Sequence, residues 1–211
     1  MNARRDTDSS CIHNLTLACP IGDNHYPNIT DRCTLRCAFC AEHVSQPRVR
    51  GYDLSLGARP EVSHIIAAEG DTARYSEIVF CGFGEPTLRL KLVPEVSDYN
   101  QSRRGRIRVN TDGRANLAHK GNVLPDLAGR VDALSVSMNA QNETVYKRHC
   151  RPALRGSYQA MLSFLEQAPR YVSEVTATAI GGLHGVDIAA GQRLAIERGV
   201  QFRRRVLDVV G

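Results

Sequence analysis

Tryptophan is absent, and aromatic residues make up only 6% of the chain. A surface that stacks successive bases has little to be built from, so nucleic acid is a weakly supported partner. No apolar run is long enough to span a bilayer, which argues against a membrane partner. A secretory leader is also missing from the pattern. Arg4 and Arg5 precede polar residues, and the apolar stretch at 12–18 is short and broken by His13, Asn14 and Thr16. A cytoplasmic location is the expectation. Acidic excess is lacking too, since the formal net charge is +5 with a pI near 8.9. Basic clusters stand at Arg103 and Arg104 and at Arg203, Arg204 and Arg205. They read as solvated or strand-end charge, or as attraction to an anionic substrate.

What is present is enough apolar material for a core. The chain has 211 residues, 42% of them hydrophobic and 23% charged. That is the size and balance of one folded domain. Residues 1–20 are polar and aperiodic and read as a flexible N-terminal extension, which leaves 21–211 as the core domain. Strand-like runs are predicted at 25–29, 77–81, 106–110, 133–138, 174–180 and 201–206. Helical patterns fall between them, opening at Pro60 and then near 94–101, 122–127, 143–149, 157–167 and 187–198. Pro27 cannot donate to a central ladder, so the first run is expected at the sheet edge. Six strand–helix alternations imply a parallel sheet with right-handed crossovers. They are too few for a closed eight-stranded barrel. An open, curved partial barrel and a doubly wound sheet both remain open.

The predicted strands end in small or polar clusters: Gly82 to Pro86, Asn110 to Gly113, and Gly181 with Gly182. Ser135, Ser137 and Asn139 are spaced by two and share a face of the fourth run. Ligands of parallel α/β folds bind at the carboxyl ends of strands. These loops therefore converge on one site.

Seven cysteines occur, at 11, 19, 33, 37, 40, 81 and 150. An odd count without a leader argues against a disulfide framework. Cys33, Cys37 and Cys40 stand in CTLRCAFC, just after the first strand. Thiolates are the ligands of iron–sulfur clusters. Three of them can hold a four-iron cluster and leave one iron open, as substrate activation needs. Arg32 and Arg36 would offset the charge of such a cluster. The alternative is structural zinc, which needs a fourth ligand: His43, Cys19 or Cys81. Zinc gives a binding module contacting nucleic acid, and an iron–sulfur cluster used by itself gives an electron carrier, neither with SAM chemistry.

CTLRCAFC resembles the signature of radical S-adenosylmethionine (SAM) enzymes, with Phe39 just before its last cysteine. CGFGEP resembles the family's Gly-Gly-Glu-type segment. YDLSL, EIVFCGFGEPTLRL, VNTDGRANL and SVSMNA are similar to the TatD-family-linked subgroup, over roughly residues 21–206. The resemblance implies a partial (β/α)6 barrel with a mainly parallel curved sheet. It implies a [4Fe-4S] cluster on Cys33, Cys37 and Cys40, with SAM on the fourth iron. Reductive cleavage of SAM then gives a 5′-deoxyadenosyl radical, which takes hydrogen from a substrate the sequence does not identify. Phe39 would lie by the adenine. Gly82, Gly84 and Glu85 would receive the methionine ammonium group. Asn110, Asp112, Ser137 and Asn139 would face the ribose, the carboxylate or the substrate. An external electron donor is implied. A second subunit is one way to cover the open side of the barrel.

Asp112 departs from the Asn usual in related sequences. It cannot donate as an amide does, and its charge disfavours a neighbouring carboxylate. Cys150, in RHCRP, reads as a half-buried thiol in a turn, or as a hydrogen donor and hence the one catalytic candidate. Cys81 reads as packing. Arg203 and Arg205 alternate along the last strand, so both can point into the cavity or simply carry surface charge. His119, His149 and His184 lie towards the catalytic side without metal-ligand spacing.

Overall fold

The computed structural model describes residues 15–43 and 48–207. Cys11 and most of the expected N-terminal extension lie outside them. The chain runs β1 (Ala18–Ile21), β2 (Asn24–Pro27), α1 (Val62–Glu69), β3 (Glu77–Phe80), α2 (Leu92–Gln101), β4 (Ile107–Thr111) and α3 (Ala115–His119). It continues α4 (Leu124–Leu127), β5 (Ala133–Ser137), α5 (Glu143–Cys150), α6 (Ser157–Gln167), β6 (Glu174–Gly181), α7 (Ile188–Ile196) and β7 (Gln201–Val206).

The seven strands form one sheet in the order β1-β2-β3-β4-β5-β6-β7. β1 is antiparallel to β2, and β2 to β7 are parallel. The sheet does not close, because β1 and β7 are its two edges. Strand order never reverses, so right-handed crossovers put every connecting helix on the same face. That face holds the core. Ile78, Phe80, Ile107, Val109, Leu134 and Val136 pack against Ile65, Val93, Val96, Leu124, Met161 and Phe164 of the helices. The opposite, inner face is left for other uses.

Two expectations change at the N-terminal edge. Residues 15–20 do not belong to an extension: Leu17 and Cys19 are buried, and Ala18 to Ile21 pair with Asn24 to Pro27. The first parallel strand is therefore second in the sheet, and the hairpin strand β1 takes the edge. Pro27 ends β2 opposite Ala18, and β2 pairs with β3 only at Asn24 and His25, so the proline breaks no central ladder. The first helix starts at Val62, after the cap at Glu61, two residues beyond Pro60. Cys19, Tyr26, Leu54, Val79 and Phe83 form a second cluster on the hairpin side. Leu54 belongs to the YDLSL segment, whose carbonyl at Leu54 accepts from Asn28 Nδ2 at 2.9 Å. Among the described residues, no helix is long and apolar enough to cross a membrane.

Candidate metal and cofactor site

The cysteine segment leaves the carboxyl end of β2 without regular structure, and main-chain hydrogen bonds hold both its flanks. On one side, Gly84 N–H donates to Thr30 O at 3.2 Å and Glu85 N–H to Arg32 O at 2.8 Å. On the other, Arg36 N–H donates to Cys150 O at 3.1 Å, Ala38 N–H to His149 O at 2.8 Å, and Ala153 N–H to Thr34 O at 3.1 Å. The loop is thus seated between the turn after β3 and the end of α5.

Gly84 makes the first seam achievable. A Cβ there would lie 2.5, 2.6 and 2.7 Å from Thr30 O, Arg32 O and Arg32 N, all backbone atoms. At Gly82 it would meet Asn28 Oδ1 at 2.8 Å. Both glycines permit close approach, as their motif suggested, and the chain that approaches them is the cysteine loop itself.

Beneath the loop lies a buried charged network. Glu85 was expected to receive an ammonium group, but four donors of the protein take its oxygens. Oε1 accepts from Thr87 N–H at 3.0 Å, Thr87 Oγ1 at 2.7 Å and Thr111 Oγ1 at 2.8 Å, and Oε2 accepts from Asp112 N–H at 2.6 Å. Glu85 therefore ties the end of β3 to the end of β4. Burial, and then the nearby Asp112 charge, push its carboxyl up to about 8. The departure to Asp at 112 has the electrostatic effect its charge implies.

Asp112 was expected to face the ribose, the carboxylate or the substrate. It is instead paired with Arg114, whose NH2 group lies 2.6 Å from Oδ2 with both side chains buried. Arg114 also donates to Thr34 Oγ1 in the cysteine loop and, at 3.2 Å, to Ser157 Oγ. Burial alone would lower its pKa; the charge and hydrogen bond of Asp112 outweigh that and raise it. Sequence reading missed Arg114. Its one signal was its place directly after the NTDG turn, where an arginine is ordinarily solvated.

The other expected site residues divide. Asn110 projects from the inner face of β4, and its Oδ1 is buried without a partner. Ser137 ends β5, half-buried. Asn139 leaves the two-residue alternation, because its backbone takes φ +58° and its side chain turns to Cys150 Sγ at 3.8 Å. Phe39 is partly buried against the main core. Cys150 was read as half-buried in a turn; it is fully buried at the end of α5, and Cys37 Sγ lies 3.8 Å from its carbonyl oxygen. His119 Nε2 and His149 Nε2 each donate to a main-chain carbonyl, Thr87 O and His184 O, at 2.8 Å.

The donor set can be tested against a cluster. Cys33 reaches the surface, and Cys37 and Cys40 are half-buried. Although the residue reaches the surface, the atoms packed around its thiol desolvate it and push it up to about 12, eased by the Leu35 N–H and reinforced by Asp112, Glu85 and Cys37. Cys37 is raised further, first by its hydrogen bond with Cys150 and then by burial. Thiolates here need cationic metal, so loading would release protons. Among the described residues, no three His, Cys, Asp or Glu side chains converge as a single ion requires. A cubane presents a separate iron to each thiolate, so three spread thiols fit it better than closed tetrahedral zinc. Cys19 and Cys81, the alternative zinc ligands, belong to the apolar hairpin cluster instead. The unpartnered Asn110 Oδ1 suits a ligand hydroxyl.

Comparison with protein families matches residues 27–193 to the Radical SAM superfamily. The chain belongs to the radical SAM superfamily. Its members use a [4Fe-4S] cluster and SAM. Among solved structures, the chain is similar to TYW1 with a lysine–pyruvate adduct bound, at 14% identity and a TM-score of 0.61, covering 87% of this chain and 64% of that one. It is also similar to Streptococcus suis SuiB bound to SAM, at 13% identity and a TM-score of 0.61, covering 86% of this chain and 38% of SuiB. A further SuiB structure, bound to the precursor peptide SuiA, has a TM-score of 0.61 at 13% identity and covers 85% of this chain and 38% of SuiB. This chain thus spans less than two thirds of these proteins. At such identities the likeness concerns the fold: an open, mostly parallel α/β sheet. Comparison with curated proteins gave no match.

Proposed function

We propose that this chain is a radical SAM enzyme that takes a hydrogen atom from a substrate held on the inner face of the sheet. Cys33, Cys37 and Cys40 would hold three irons of a [4Fe-4S] cluster, with SAM on the fourth. When bound, cluster and SAM supply a 5′-deoxyadenosyl radical by one-electron cleavage of the sulfonium, the electron coming from an external donor.

The observation that carries this reading is the seating of the cysteine loop against Gly84 and Glu85 on one side and His149 and Cys150 on the other. It puts three thiols at the carboxyl ends of the parallel strands, where the fold binds its ligands. The rest of the work falls to this chain's residues. Asn110 Oδ1 offers an acceptor for a ribose hydroxyl. Phe39 lies next to Cys40 and is available to the adenine. Gly82 and Ser137 line the approach. Glu85, Asp112 and Arg114 fix the loop from below rather than touching the ligand. The apolar cluster of Tyr26, Leu54 and Phe83, which includes the residue between Gly82 and Gly84, would shield one flank from water. The likeness of YDLSL and VNTDG to the TatD-family-linked subgroup is consistent with this assignment. A cytoplasmic enzyme fits the oxygen sensitivity of such a cluster, and a second subunit would cover the open edge.

Anaerobically reconstituted protein, given dithionite and SAM, should form 5′-deoxyadenosine, and Cys33→Ala should lose both iron and activity. Wild-type protein with a full cluster and no 5′-deoxyadenosine would overturn the assignment.

A further inference from the structure

The inner face carries a concentration of arginines that the SAM site does not use. Strand register places Val79, Arg108, Ala133 and Glu174 in one cross-strand row, and Asn110, Ser135, Thr176 and Gln201 in the next. Ser137, Thr178 and Arg203 form a third row, and Arg205 follows on the same face. Arg203 reaches back across β6, bringing its NH2 group 3.4 Å from Ser135 Oγ on β5. Arg203 borders a cleft of about 460 Å³ that it shares with Arg106, Arg108, Ser135 and the carboxylates Glu77 and Glu174; Arg205 stands outside its lining, two residues further along the same face.

Arginines outnumber carboxylates on this face. Arg106 bridges Glu77 and Glu174, and Arg108 shares Glu77 at 2.8 Å, so two cations meet two anions. Among the described residues, Arg203 and Arg205 have no carboxylate partner in any ion pair found. Arg108 Nε and Arg205 Nε are buried without acceptors, and Asn110 Oδ1, two residues along β4 from Arg108, is buried without a donor. Partial burial, then Arg108 and Arg205, lower the Arg203 pKa, as crowded cations do. An ordinary reading exists, because charged side chains on an edge strand discourage pairing with other chains. Edge protection needs charge facing solvent. Arg203 is exposed and can serve in that way, but edge protection does not explain its reach across β6 to Ser135 or the buried, unpaired Nε atoms of Arg108 and Arg205.

We propose that Arg203 and Arg205, backed by Arg108, bind a phosphate monoester carried by the substrate. Two guanidinium groups without an ion-pair partner match a dianion, and their fork geometry suits its oxygens. Arg203 lies level with Ser137, and Asn110 lies one row lower. Rows on one face are about 7 Å apart along a strand. The anchored phosphate would therefore hold a neighbouring C–H group close under the SAM pocket. The catalytic part of this proposal rests on the radical SAM reading; the binding part does not.

The test titrates inorganic phosphate into anaerobically reconstituted full-length protein with SAM at pH 8, by calorimetry at constant ionic strength. One saturable site is expected. Affinity should fall roughly tenfold or more in R203Q and in R205Q, since hydrogen bonds to charged groups are being removed. R203K, which keeps the charge and loses the fork, should be intermediate and guards against a folding defect. R204Q, on the opposite face, should match wild type. Absent binding, or binding indifferent to R203Q and R205Q, overturns the proposal. Succinate binding as tightly, or a 5′-hydroxyl oligonucleotide displacing phosphate, overturns the monoester assignment. 5′-Deoxyadenosine is measured in the same preparation: its absence with phosphate binding intact counts against the radical SAM reading alone.

Discussion

Arg114→Ala is the most informative perturbation of the scaffold beneath the cysteine loop. The substitution removes the 2.6 Å partner of Asp112 and keeps only the backbone N–H that donates to Oδ1 at 2.9 Å. Thr34 and Ser157 lose a donor as well. Side-chain exposures of 0% and 6% for Arg114 and Asp112 mean that water cannot replace the lost charge. Breaking a buried pair from one side costs about 3–5 kcal/mol, against a total stability of roughly 5–15 kcal/mol. Removing both charges together is often close to neutral. Asp112→Asn combined with Arg114→Met should therefore recover at least half of the loss. Anaerobic urea unfolding of the metal-free protein measures the stability term. Iron per chain after reconstitution measures the effect on the loop, which should fall in Arg114→Ala through the freed Thr34. The reasoning fails if Arg114→Ala unfolds within 1 kcal/mol of wild type, or if the double variant is no more stable than the single.

Gly84→Ala should push the cysteine loop off its seam, disturbing two main-chain hydrogen bonds at about 1 kcal/mol each and lowering iron content. Gly57→Ala, with nothing within 4 Å, should leave both unfolding and iron content unchanged, and equal behaviour of the two variants would refute the steric argument. Glu69 is buried, and burial, partly offset by Asn100 and Arg103, raises its carboxyl from 4.5 to about 7. The folded state then holds a proton that the unfolded state releases, so this group's contribution to stability falls as pH rises from about 4.5 to about 7. The loss amounts to roughly 3 kcal/mol at most. Glu69→Gln keeps an acceptor for Asn100 Nδ2 and should raise the unfolding midpoint at pH 8 while changing it little at pH 4.5. A midpoint at pH 8 no higher than wild type would contradict it.

Much of the architecture was legible because its signals are local. The β-branched runs around Val79, Val109, Val136 and Val175 each fixed a buried strand, and the helices between them carried apolar faces at helical spacing. The hairpin strand β1 was not legible. Its four residues, ACPI, include a proline and have no period, and only pairing with Asn24 to Pro27 makes them a strand. Helix α3 escaped for a similar reason, since five residues hold too little pattern to register. The strand-end positions of the expected site residues were legible, but not the side chains they meet. Glu85 and Asp112 were read as ligand contacts because side chains at strand ends usually face a cavity. Both also hydrogen-bond to protein partners that no local pattern announces.

The three cysteines within eight residues, the glycines that let a backbone pass, and the alternation of strands and helices are all written in the order of residues. Each depends on neighbours along the chain, so spacing alone encodes it. Only the tertiary structure decided which groups meet: Glu85 with Thr111 across 26 residues, Arg203 with Ser135 across 68, Arg114 with Thr34 across 80, and Cys37 with the carbonyl of Cys150 across 113. Strand register and crossover direction set those pairings, and they turn a cysteine motif into a seated loop above a charged inner face.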